Sequence, residues 1–103
     1  MNVAELPARV AHATHALMAA SHPSMGGGQG PFTAAEVCIY DAPWEALSAR
    51  HTGAALREAQ RRGLAVHIPG GYWIPTGLAY EARSALEDRY LADETRVRDG
   101  LTA

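Results

Sequence analysis

The side chains able to do chemistry are few in this chain, and their spacing favours structure over reaction. His12 and His15 stand three apart in "VAHATHAL", a spacing that lets two imidazoles on one helical face share a metal ion, with His22 as a third candidate ligand. Only Glu5, almost two turns earlier, adds a carboxylate to that segment. Solvated or interfacial histidines are therefore expected, and no metal site. Cys38 is the only cysteine, which excludes an internal disulfide and leaves no second thiolate for a metal. A catalytic thiol needs a base nearby, and the sequence nominates none. Between Val37 and Ile39, Cys38 is expected to be buried and inert. The pairs Glu87-Asp88 and Asp93-Glu94 alternate with Arg83, Arg89, Arg96 and Arg98 at the interval of i, i+4 surface ion pairs, not of a catalytic carboxylate couple. No enzyme and no cofactor are expected.

A basic cluster is the strongest chemical signal. The nine basic residues are all arginine and the chain carries a net charge of −2, so it is no polyelectrolyte as a whole. The segment Arg50 to Arg62 nevertheless holds four arginines and one glutamate, a local charge of +3. That asymmetry points to nucleic acid; the plainer reading is an exposed helix face solvated by arginines. The glycines of "SHPSMGGGQGP" do not make a phosphate cradle, because a helix precedes them and the chain has no lysine to follow them.

These groups need elements to hold them. At 103 residues the chain is a single domain near the lower end of sizes that bury an independent core, and much of its 48% hydrophobic content is alanine. Residues 1–21 form an N-terminal helix with a stripe of Val3, Leu6, Val10, Ala13, Leu17 and Met18, and Pro7 in or near its first turn. Residues 22–31 are a flexible Gly/Pro loop. Thr33 and Glu36 form a capping box, so a helix starts at about Ala34 and runs through Tyr40. A short helix from about Pro43 to Ala49 follows, with Trp44 and Leu47 inward. Thr52 caps a third helix that buries Ala55, Leu56 and Ala59 and stops at Gly63. "LAVHI" and "YWIP" pair as a hairpin through Pro69-Gly70-Gly71, and Trp44, Tyr72 and Trp73 are candidates either for the core or for a ligand pocket. Thr76 caps a last helix over about 77–98, with a stripe of Leu78, Ala82, Ala85, Leu86, Tyr90 and Val97. The fold class is mainly α with a two-stranded hairpin, α+β.

Short helices followed by a hairpin resemble a winged helix-turn-helix domain. "ALREAQRRGLAV" is similar to the end of a recognition helix entering the first wing strand, and "YWIPTGLAYEARSAL" resembles the second wing strand and dimer helix of MarR-type and PadR-type regulators. The resemblance covers about residues 32–92, with residues 32–76 as the winged core. It implies sequence-specific binding to double-stranded DNA by a transcriptional regulator. Its DNA readers fall on Arg50, His51, Thr52, Ala54, Arg57 and Arg61, with Arg57 first for base contact and Arg61 and Arg62 on the backbone. The wing is Pro69, Gly70 and Gly71, and it carries no arginine or lysine at its tip. Such an uncharged wing keeps a second function open, a protein-interaction adaptor with no specific DNA contact.

One small domain has little core for two apolar terminal helices. A homodimer is therefore expected through Leu6, Val10, Leu17, Ala82, Leu86 and Tyr90. The first twenty residues contain Glu5, Arg9, His12 and His15 and read as neither signal peptide nor membrane span, so a cytoplasmic location is expected.

Overall fold

A computed structural model of the chain describes residues 2–21, 31–40 and 49–102, the side chains of 49 and 97–102 excepted. The expected 22–31 loop, apart from Pro31, and the expected short helix up to Ser48, with Trp44 and Leu47, lie outside the described residues. Among the described residues five α-helices and three strands follow one another: α1 (Ala8–Ala20), β1 (Phe32–Thr33), α2 (Ala34–Cys38), α3 (Ala49–Arg61), β2 (Ala65–Ile68), β3 (Tyr72–Pro75), α4 (Gly77–Glu81) and α5 (Arg83–Thr102). The α+β class expected from the sequence is what the chain adopts.

The N-terminal segment is not one helix. Val3–Glu5 makes a single 3-10 turn capped by Asn2, and α1 begins only at Ala8, after Pro7 at the N-cap position. Helix α1 is buried nearly all round, with Val10, Ala11, Ala13, Ala16, Leu17, Met18 and Ala20 in the core. A helix closed on every side is a central helix, not an amphipathic arm. Its alanines are what let neighbours approach on several faces at once: α2, α3 and α5 all pack against it.

That placement revises the dimer expectation. Leu6, Val10, Leu17, Leu86 and Tyr90 are buried within the single chain, and Ala82 is partly buried. The two terminal stripes cover each other, so neither presents these residues to a second copy. The last helix also divides. Thr76 caps it as expected by accepting from the Ala79 amide, but the α-helix stops at Glu81 and restarts at Arg83. Ala82 breaks the turn, and the buried set moves to Ala79, Leu86, Tyr90 and Asp93 while Leu78 and Ala85 face out.

The sheet has three strands, in the order β1-β3-β2, and both pairings are antiparallel. Sequence reading finds the hairpin and misses β1, whose two residues are too short to show alternation. Phe32 lies opposite Trp73 and Thr33 opposite Tyr72. Phe32, Ala65 and Trp73 turn inward to the core they share with Leu56 and Leu64. Val66, Ile68, Tyr72 and Ile74 occupy the opposite, outward face, as two-residue periodicity requires. Tyr72 and Trp73 thus point to opposite sides of one strand and do not line a common pocket.

Candidate nucleic-acid interface

Helix α3 is already formed at Ala49, three residues before the expected cap. Thr52 is therefore an interior helical residue, 3% exposed, and its hydroxyl has no hydrogen-bond partner among the described residues. It points into the protein, and as folded it cannot serve as a DNA contact. The inward row is Thr52, Ala55, Leu56 and Ala59. Opposite it, Arg50, Ala54, Arg57 and Arg61 are all exposed, spaced by four, three and four residues along one helical face. His51 is exposed beside them. Burying one face of α3 against α1 and α2 leaves this row as the outward surface.

The end of α3 is built by its own sequence. Gly63 takes φ +78°, the Gly63 amide bonds to the Gln60 carbonyl at 3.0 Å, and the Leu64 amide reaches back to Ala59 at 2.9 Å. This pair of bonds is a Schellman closure, which wants a left-handed residue where Gly63 stands. A Cβ there would meet only Leu78 Cδ2 at 3.6 Å, so the position has room but the wrong backbone conformation for other residues. Gly63→Ala is expected to cost about 1 kcal/mol of stability, from the left-handed backbone alone, as read by urea denaturation.

Thr76 fastens the hairpin to this helix end. Its hydroxyl donates to the Gly63 carbonyl at 2.6 Å while accepting from Ala79, and its amide donates to Leu64 at 3.1 Å. The exit of α3, the end of β3 and the start of α4 therefore meet at one side chain. Thr76→Val, which keeps the shape and loses the hydroxyl, is expected to cost about 1–2 kcal/mol. Hydrogen exchange should quicken at the base of the hairpin before it does in α1.

At the far end, Pro69, Gly70 and Gly71 form the turn, all exposed. Gly70 and Gly71 take φ +100° and +86°. A side chain at Gly70 would also crowd the Tyr72 ring at 3.2 Å. The turn offers backbone groups and no cation. The His67 ring lies tilted against that of its cross-strand neighbour Trp73, centroids 4.5 Å apart and planes at 40°. Val66 and Tyr72 are 42% and 39% exposed, so the outer face of the hairpin is apolar.

Sequence reasoning misses the most elaborate polar group among the described residues. His12 is 1% exposed, and its Nε2 lies 2.7 Å from Asp93 Oδ2. Asp93, expected on the surface, is 3% exposed. Arg89 Nε donates to Asp93 Oδ2 at 2.8 Å, and Arg96 to Oδ1. The other arm of Arg89 donates to the carbonyls of Val3 at 2.9 Å and Leu6 at 3.1 Å. Burial alone would raise the Asp93 carboxyl, but hydrogen bonds from Arg89 and His12 outweigh it and hold the group below the usual carboxylate range. An ionised carboxylate only accepts, so the proton of neutral His12 sits on Nε2. His15 stacks flat on Tyr90 at 4.2 Å. These histidines join α1 to α5, and neither reads as a ligand. Among the described residues no three His, Cys, Asp or Glu side chains are placed to hold a metal ion; His22 lies outside them. Cys38 is only partly buried and donates to the Ala35 carbonyl, with Ile39 beside it 69% exposed. The expected burial of the thiol is not what the chain shows.

No protein-family model, curated protein or solved structure matches the chain. Among the described residues no helix is long and apolar enough to cross a membrane.

Proposed function

We propose that the chain is a winged helix-turn-helix protein that binds double-stranded DNA in a sequence-specific way and acts as a transcriptional regulator. The single observation that carries this reading is the exposed row Arg50, Ala54, Arg57 and Arg61 on the outward face of α3, with a rigidly footed hairpin directly behind that helix. Support for the winged fold comes from the order of elements, α1-β1-α2-α3-β2-β3, and from the pairing of β1 with β3. An α-helix fits the major groove, and arginine reads guanine through two parallel hydrogen bonds. Arg57 stands mid-row without an ion-pair partner among the described residues and is the first candidate for that contact. Arg50 and Arg61 flank it on the same face and are the candidates for phosphate contacts, and Gly70 and Gly71 offer amides to the backbone.

A homodimer belongs to this reading, since two copies would set two such helices about one DNA turn apart. Among the described residues, the large apolar side chains exposed on the last two helices are Leu78, Tyr80 and Leu91, and they are the candidates for its interface. A second function, a protein-docking adaptor, is favoured by one observation: the uncharged outer face of the hairpin with Val66 and Tyr72 exposed.

Fluorescence anisotropy with random and genomic duplexes over a salt series tests the choice. A DNA binder loses affinity steeply as salt rises, and Arg57→Ala should weaken a preferred duplex by about 10- to 100-fold with the fold intact. No binding at about 50 mM salt sinks the regulator and leaves the adaptor.

A further inference from the structure

One contact at the end of α3 works against the surface beside it. Glu58 accepts from Arg61 Nη1 at 2.9 Å through one carboxylate oxygen and from Arg62 Nε at 3.3 Å through the other. Two of the four arginines in the basic segment are thereby held by one acid. Arg50 and Arg57 have no ion-pair partner among the described residues. The helix favours this arrangement, because cations near its last carbonyls are stabilised by the peptide dipoles.

We propose that Glu58 is a built-in brake on duplex binding: by holding Arg61 and Arg62 it keeps them from phosphates and limits the sequence-independent part of the affinity. The proposal rests on the DNA-binding reading above. Phosphate contacts add affinity for every duplex alike, whereas base contacts discriminate. An acid that withholds two phosphate-seeking arginines therefore leaves a larger share of the binding to the base contact of Arg57. The hold is a weak one, since Arg61 is 78% exposed and solvent screens the pair. Phosphate oxygens compete with Glu58 for the same guanidinium groups, and binding is reduced without being blocked.

The test is a cycle of four full-length proteins: wild type, Glu58→Gln, the double variant Arg61→Ala/Arg62→Ala, and the triple variant. Glutamine keeps the length and helix preference of glutamate, so the fold is not at stake. Anisotropy with a random-sequence duplex across a salt series gives affinity and salt slope for each. Glu58→Gln is expected to bind several-fold more tightly than wild type, with the slope of log affinity against log salt steeper by about 0.9 for each arginine released. The gain should vanish in the background lacking Arg61 and Arg62. An equal gain in both backgrounds would show Glu58 acting as a plain negative charge and would overturn the proposal, as would no gain in a wild type that binds. In both of those cases the DNA reading stands. If none of the four proteins binds duplex at about 50 mM salt, the DNA reading falls and the brake falls with it.

Discussion

Replacement of Asp93 by alanine is expected to lower the free energy of unfolding by about 3–5 kcal/mol. The size follows from what the carboxylate holds. It accepts from His12 on α1 and from Arg89 and Arg96 on its own helix, and Arg89 in turn donates to carbonyls at both ends of the turn that precedes α1. Removing the acceptor leaves a guanidinium partly enclosed with one arm unanswered and a buried imidazole N–H without its carboxylate. That is costlier than the pair was ever worth, because the desolvation of the surviving partners is no longer compensated. A domain of this size has roughly 5–15 kcal/mol in total, so the variant loses a large share of its stability. Asp93→Asn should cost less, since one oxygen can still accept, while its amide group meets a donor. Urea denaturation of the three proteins decides it, and a loss below about 1 kcal/mol for the alanine variant would mean that the network contributes little.

Features that depend on neighbours in sequence are legible in this chain. The Thr33–Glu36 capping box forms, with the Thr33 hydroxyl accepting from the Glu36 amide and the Glu36 carboxylate accepting from Thr33. The stop at Gly63, the Pro-Gly-Gly turn and the Thr76 cap also form, because each is written in two or three adjacent residues with a fixed backbone demand. Features settled at long range are not. Thr52 has the right type for a cap, yet three residues before it already belong to the helix, and the packing of α3 turns its hydroxyl inward. Asp93 sits four residues after Arg89, which suggests a surface pair; the partner that marks it as interior, His12, lies 81 residues away. The terminal stripes are read correctly as apolar and wrongly as unpartnered. Counting large side chains hides the role of Ala11, Ala13, Ala16 and Ala20, whose small size lets the rest of the chain close around α1. Of the residues expected to read DNA, Thr52 alone is buried, and Arg50, Ala54, Arg57 and Arg61 share one exposed helical face as simple helical periodicity requires.

Acid should destabilise the fold well before any carboxylate is protonated. Burial lowers the pKa of both His12 and His15 from the ordinary 6.5, for His12 in spite of Asp93 beside it and for His15 in spite of Glu87. In the unfolded chain both rings take their protons near 6.5; in the folded chain they take them only at lower pH. Between those limits the unfolded state binds more protons, so stability is full above about pH 6.5 and falls as pH drops. The steepest loss one such histidine can produce is about 1.4 kcal/mol per pH unit, and two together can double it. Asp93 acts in the same direction further down, because its lowered pKa adds stability that is lost only below the ordinary carboxylate value of 3.8. Urea midpoints from about pH 7.5 to about pH 5 should therefore fall continuously through the histidine range. His15→Phe separates the two rings, since a phenyl group keeps the stack on Tyr90 and carries no proton, and it should remove about half of the slope. A profile that stays level down to about pH 5 would mean that the histidines are solvated, and that the joint between α1 and α5 opens in solution far more readily than its buried network implies.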